Sequence, residues 1–208
     1  MRFISTGTHP TARYQERMLF PSERYHGRIA RNQWIARRLL IFGLHAHIGM
    51  PDPETCIAVQ NELLRDLGHL LALSTSSPYW PGEITGLASS RVTVFEAMPT
   101  GGSPILLKNW DEFSSLVATL QKAHAITSLK DLWWDIRPSP RDGTLEIRVC
   151  DGLASIRETC AIGVGAPTSA DHQRALYERT QRFFAVTRAL ADEFEDDLLA
   201  GIAASDQR

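Results

Sequence analysis

Three cysteines in 208 residues, Cys56, Cys150 and Cys160, are too few and too irregularly spaced for a disulfide framework or a zinc cluster, and they suit a reducing, cytoplasmic setting. Long apolar runs are missing too: no stretch reaches the roughly 18 residues of a membrane span, and the first ten residues lack the apolar core of a signal peptide. Charge is balanced, with 22 Lys and Arg against 24 Asp and Glu, so no overall field draws in nucleic acid or an anionic membrane. The stretch Arg13 to Arg38 is rich in arginine, but Glu16 and Glu23 interrupt it and only Tyr14, Tyr25 and Trp34 are there to stack on bases. Nucleic acid is therefore not an expected partner. Phosphate-loop and dinucleotide glycine patterns are absent, since Gly163-Val164-Gly165 has neither the further glycine nor the strand that such motifs need. Serine-nucleophile elbows, internal repeats and low-complexity runs are absent as well.

What remains is ordinary globular composition, 43% hydrophobic and 22% charged, enough for one domain over residues 1–208. A brief strand is expected at residues 3–6, stopped by Gly7 and Pro10. Leu39 to Ile48 is almost continuously apolar apart from two histidines, as an interior strand would be. Asp52-Pro53-Glu54 reads as N-cap, first-turn proline and dipole-favoured acid, opening a helix whose apolar Val59, Leu63, Leu67, Leu70 and Leu71 carry it to about Leu73. The serine- and proline-rich segment from Ser74 to Gly82 must leave helical geometry. A second helix should start near Asp111, capped by Asn109 or Asp111, with Phe113, Leu116, Val117 and Leu120 on its apolar face. Leu132 to Pro138 and Thr144 to Cys150 read as an antiparallel hairpin across a turn-rich loop. A long amphipathic helix is expected from Ser169 to near Gly201.

The candidate chemistry lies on strands that carry ionisable groups at every second position. His45 and His47 share one strand face and Glu146 and Arg148 another, while Leu44, Ala46, Ile48, Leu145, Ile147 and Val149 turn the other way. Two imidazoles and a carboxylate could meet at one cation if the strands are adjacent. The same pattern also fits half-buried histidines satisfied by backbone and a polar solvent-facing strand. Arg91 and Arg137 accompany stretches rich in tryptophan and proline, and guanidinium forks suit phosphate and carboxylate oxygens.

Gly43-Leu44-His45-Ala46-His47-Ile48-Gly49-Met50-Pro51-Asp52-Pro53-Glu54, the stretch from Ser74 to Arg91, and Trp133-Trp134-Asp135-Ile136-Arg137-Pro138 with Gly143 to Asp151 resemble the carboxylate-amine ligase branch of the glutamate-cysteine ligases, within the glutamine synthetase-like superfamily. The resemblance, which also takes in Thr6 to Pro10, covers roughly residues 6–160. It implies an α+β fold, an antiparallel sheet cupping the active site with helices packed behind, here incomplete. It further implies ATP-dependent amide formation through an acyl phosphate, with ATP and magnesium as cofactors, a small-molecule carboxylate and an amine as substrates, and a place in glutathione biosynthesis. On that resemblance His45, His47 and Glu146 would ligate metal, Arg148 and Arg91 would hold phosphate or substrate carboxylate, and Arg137 would assist in nucleotide binding. The family's opening strand of clustered glutamates has no counterpart ahead of Thr6, and the part that should precede the last helix is shortened. Weak or absent ligase activity is therefore expected, together with self-association through the sheet edge left unpaired. The alternatives are a non-catalytic homologue that binds a partner or a small carboxylate, and a metal hydrolase built on the His-x-His strand, which would need further histidines and an aspartate at strand ends, whereas His69, His124 and His172 fall on predicted helices or loops.

Overall fold

The structure, a computed structural model, describes residues 5–16, 21–154, 158–160 and 162. Contacts divide the chain after Ala154, and the site lies wholly in the unit before that point. The strand expected at residues 3–6 falls partly outside the described residues, and the helix expected from Ser169 to Gly201 falls wholly outside them.

Three short strands form the sheet: β1 (Ala46–Gly49), β2 (Ile136–Ser139) and β3 (Thr144–Ile147), in the order β1-β3-β2 with both pairings antiparallel. The hairpin between β2 and β3 closes through Pro140-Arg141-Asp142-Gly143, where Gly143 takes a φ of 63°, a conformation that favours glycine. Register sets the faces. Ala46, Ile147 and Ile136 stand in one row, while His47, Glu146 and Arg137 stand in the next, so apolar and ionisable rows alternate across all three strands.

The apolar face is covered by α2 (Pro53–Leu63), which packs against β2 and β3, and α5 (Trp110–Lys122) packs against α2 in turn. Ile57, Leu107, Phe113, Leu132 and Trp134 form the core cluster, and Leu116, Val117 and Leu120 lean on it from the predicted face of α5. Full burial of such side chains stabilises by roughly 1.5–3 kcal/mol each before the entropy of ordering them is set against it. Both helix starts are built as the sequence predicts. The Asp52 carboxylate accepts the Thr55 amide at 2.8 Å and the Asn109 side chain accepts the Glu112 amide at 2.9 Å; of the two caps expected for α5, it is Asn109 that serves.

The helix expected to run unbroken to Leu73 is instead two, α2 and α3 (Leu67–Ser74). Between them the amide of Asp66 turns back to the Leu63 carbonyl at 2.9 Å, tightening the chain into a turn before Asp66 begins the new helix. Asp66 and Gly68, both poor helix formers, sit at that break. The long strand expected from Leu39 is likewise shortened to isolated bridges at Ile41 and Gly43 and then β1. Two further helices complete the surroundings of the sheet's polar face, α1 (Glu23–Arg37) and α4 (Ser90–Glu96).

Candidate active site

The polar face of the sheet floors a cleft of about 840 Å³, walled by α1, α4 and the 127–133 segment, a volume in the range of sites for small organic ligands. At its base is Glu146, a carboxylate only 5% exposed. Its Oε2 accepts from Arg137 Nε at 3.1 Å and Nη2 at 2.5 Å. Its Oε1 lies 3.0 Å from His45 Nδ1, 3.6 Å from Arg148 Nε and 3.9 Å from His47 Nε2. Burial pushes the Glu146 carboxyl upward, but the His45 hydrogen bond and the charges of Arg148 and Arg137 outweigh it and hold the group down at about 2. The structure thus gathers His45, His47, Arg137, Glu146 and Arg148 into one cup, as strand alternation requires once β1 and β2 flank β3.

The three expected arginines differ in what they have left to offer. Arg137 is committed on every side, since Nη1 also donates to the carbonyls of Leu129 at 2.8 Å and Leu132 at 2.7 Å. Arg91 comes from α4 and lines the cleft, but its Nη1 and Nη2 donate to the carbonyls of Val149 and Arg148, both at 3.0 Å, and Nη1 stands 3.9 Å from Asp151. A Cβ on Gly43 would collide with this guanidinium, so only glycine leaves it room. Asp151 is itself fixed by the hydroxyls of Ser77 at 2.6 Å and Ser89 at 2.9 Å and by the Ser76 amide at 3.0 Å. Arg91 therefore ties α4 to the segment that follows β3 and carries Arg148. Arg148 differs from both: among the described residues the hydrogen bonding of its guanidinium is limited to Nη1 donating to the Leu132 carbonyl at 3.4 Å. Burial lowers its guanidinium to about 10, with Arg137 adding to the effect and Glu146 opposing it.

Several contributors carried no role in the sequence reading. Trp133 and Phe95 line the cleft, as do Tyr25 and Arg28 from α1. Trp133 was legible in principle: in an extended segment Trp133 and Trp134 must face opposite ways, and Trp134 enters the core. Asp135, 3% exposed, takes a hydrogen bond from the Ser103 hydroxyl at 3.1 Å, and its other oxygen has no hydrogen-bond partner among the described residues. Burial raises the Asp135 carboxyl, with Ser103, Arg91 and Arg148 pulling the other way.

A magnesium ion asks for near-octahedral oxygen ligands, and the cup fits that demand poorly. Glu146 supplies the one carboxylate, with one oxygen committed to Arg137 and the other facing His45, and the remaining neighbours are two imidazoles and a guanidinium. Among the described residues no group of three His, Cys, Asp or Glu side chains is placed to hold a metal. Nor is any described helix long and apolar enough to cross a membrane.

A family model described as glutamate-cysteine ligase family 2 matches residues 1–192. A protein of Bdellovibrio bacteriovorus, provisionally named glutamate--cysteine ligase 2, is 56% identical over 158 residues, which are 76% of this chain and 42% of that protein. A Herpetosiphon aurantiacus protein of the same provisional name is 43% identical over 193 residues, 93% of this chain and 50% of its own length. One from Frankia alni, provisionally named glutamate--cysteine ligase 2-1, is 42% identical over 190 residues, again 50% of its length. The chain thus spans about half the length of these curated relatives.

Proposed function

The chain belongs to glutamate-cysteine ligase family 2, and from that premise we propose that its cleft is part of the active site of an ATP-dependent carboxylate-amine ligase. In the proposed reaction a substrate carboxylate oxygen attacks the γ-phosphorus of ATP and ADP leaves. An amine nitrogen then attacks the acyl carbon, the phosphate departs with the electrons of its C–O bond, and the nitrogen loses its extra proton. Both steps gather negative charge on phosphoryl and acyl oxygens, so the protein's contribution is to position the reactants and to set fixed positive charge against them. The observation that carries this reading is the composition of the cup: Arg137 and Arg148 crowd one carboxylate, leaving positive charge in excess beneath an open cleft.

Arg148 is assigned the oxyanion contact, Arg91 holds the segment that presents it, and Glu146 keeps Arg137 and His45 in register. Magnesium enters the proposal only as an ion carried with the nucleotide, because the described side chains do not compose a site for it, and no step is routed through it. That same shortage favours a second reading, a homologue that binds a small carboxylate without turnover. Calorimetric titration of the chain with ATP and magnesium, run beside an assay for ADP release in the presence of glutamate and a panel of amines, separates the two. Amine-dependent ADP release supports the ligase, stoichiometric binding without turnover supports the second reading, and the absence of any binding overturns both.

A further inference from the structure

Of the three buried guanidinium groups in the cleft, Arg137 and Arg91 have their donors engaged by Glu146 and by backbone carbonyls. Arg148 shares Glu146 only as an ion pair at 3.6 Å, without a hydrogen bond to it, and beside the Leu132 carbonyl its other neighbours are rings. Its guanidinium carbon lies 5.6 Å from the centre of the Phe95 ring and 5.9 Å from that of Trp133. The two rings pack on each other at 5.5 Å with an interplanar angle of 52°. The pattern extends on both sides, with Arg91 5.3 Å from the Phe95 ring and Arg28 4.6 Å from Trp133. Cations and rings thus alternate from α1 through the 133 segment to α4.

The manner of holding matters to what the cation can still do. A carboxylate partner takes a guanidinium by its in-plane N–H donors, as Glu146 takes Arg137. A ring attracts the positive charge through its own electron-rich face and accepts none of those conventional donors. Arg148 is 7% exposed and borders the cleft, and among the described residues its Nε–H makes no hydrogen bond, the Glu146 Oε1 standing off at 3.6 Å. A cation this deeply buried with donors to spare is a receptor awaiting an acceptor, since an unmet buried donor carries a desolvation cost that an incoming oxygen would remove.

We propose that Phe95 and Trp133 are positioning residues that keep the Arg148 guanidinium open to the cleft as a receptor for a phosphoryl or carboxylate oxyanion. The proposal rests on the ligase reading of the cleft and deepens it by naming what prepares its cation. Phe95 lies four residues after Arg91 on α4, and Trp133 lies one residue after Leu132, whose carbonyl Arg148 meets. Both elements are thereby coupled to the same guanidinium.

Tripolyphosphate titrated calorimetrically into the full chain tests this with a probe that needs no turnover. Arg148→Gln should abolish measurable binding. Trp133→Leu and Phe95→Leu should each weaken it by roughly ten-fold, whereas Trp133→Phe, which keeps a ring, should stay within about three-fold of the parent. A merely structural ring would lower the melting temperature of these variants without this pattern of affinities. If Phe95→Leu does not fold, the Trp133 pair decides, because Trp133 is only partly buried. Leu variants that bind like the parent while Arg148→Gln does not, or a Trp133→Phe as weak as Trp133→Leu, overturn the positioning role and leave the ligase reading standing. No binding by the parent chain removes both.

Discussion

Replacing Glu146 by glutamine removes the one carboxylate of the cup while keeping its shape. In the native chain burial works against the ionised carboxylate, yet His45, Arg148 and Arg137 bring its pKa from 4.5 to about 2. A drop of that size on folding stabilises the protein by roughly 3 kcal/mol at most at neutral pH. The His45 side chain is 38% exposed, so solvent screening trims the figure to about 2 kcal/mol. Against this the variant leaves Arg137 and Arg148 buried without their counter-charge, a change that costs about 3–5 kcal/mol where a buried pair is fully broken. The glutamine oxygen still accepts from Arg137, so a net loss of about 2–4 kcal/mol at pH 7 is expected. Because the folded pKa is the depressed one, the stabilisation is present above about pH 4.5 and disappears as pH falls through about 2. Urea unfolding of parent and variant at a series of pH values reads this directly: the gap in unfolding free energy should be full at pH 7 and have lost roughly half or more of its value by pH 3. A gap that does not change between those pH values, or one below about 0.5 kcal/mol at pH 7, would show that the carboxylate is not held ionised by its neighbours.

Three other outcomes follow from the same geometry. Gly43→Ala pushes a methyl group into the Arg91 guanidinium, so thermal unfolding should show a loss of about 1–3 kcal/mol, and the displaced Arg91 should carry the Arg148 segment with it, weakening tripolyphosphate binding in the same variant. Asn109→Ala strips the cap of α5 and should lower stability by about 1 kcal/mol without touching anion affinity, which makes it the control for effects that act only through folding. Among the described residues β1 has no strand on its outer side, and an unpaired edge is a template for pairing. Light scattering should therefore show mass rising with concentration, and a clean monomer throughout would count against it.

Much of the site was legible because strand geometry is nearly deterministic. Once Glu146 and Arg148 are spaced by two, they share a face, and an adjacent antiparallel strand must bring His45 or His47 beside them. Helix starts were equally plain, since Asp52 and Asn109 announce themselves by chemistry that needs no partner from elsewhere in the chain. What failed was anything decided by tertiary packing. The break between α2 and α3 is a weak local preference at Asp66 and Gly68 that competes with a strong apolar periodicity. The different fates of three arginines cannot be read from spacing at all: Arg91 meets carbonyls 57 and 58 residues away, whereas Arg148 meets rings contributed by α4 and the segment before β2. Pocket-like composition around each arginine was visible, but not which guanidinium would keep its donors.

The row formed by His47, Glu146 and Arg137 across three strands has a bearing on how the chain avoids misfolding. Sliding β3 by a single residue would deliver Leu145 or Ile147 into the wet cup and drive a bare carboxylate into the layer beneath α2, while Arg137 would face hydrocarbon instead of its mate. Both errors arrive together and neither can be repaired by side-chain rotation. The groups that make the cup chemically capable also act as proofreaders of the hairpin, penalising any slip by an odd number of residues.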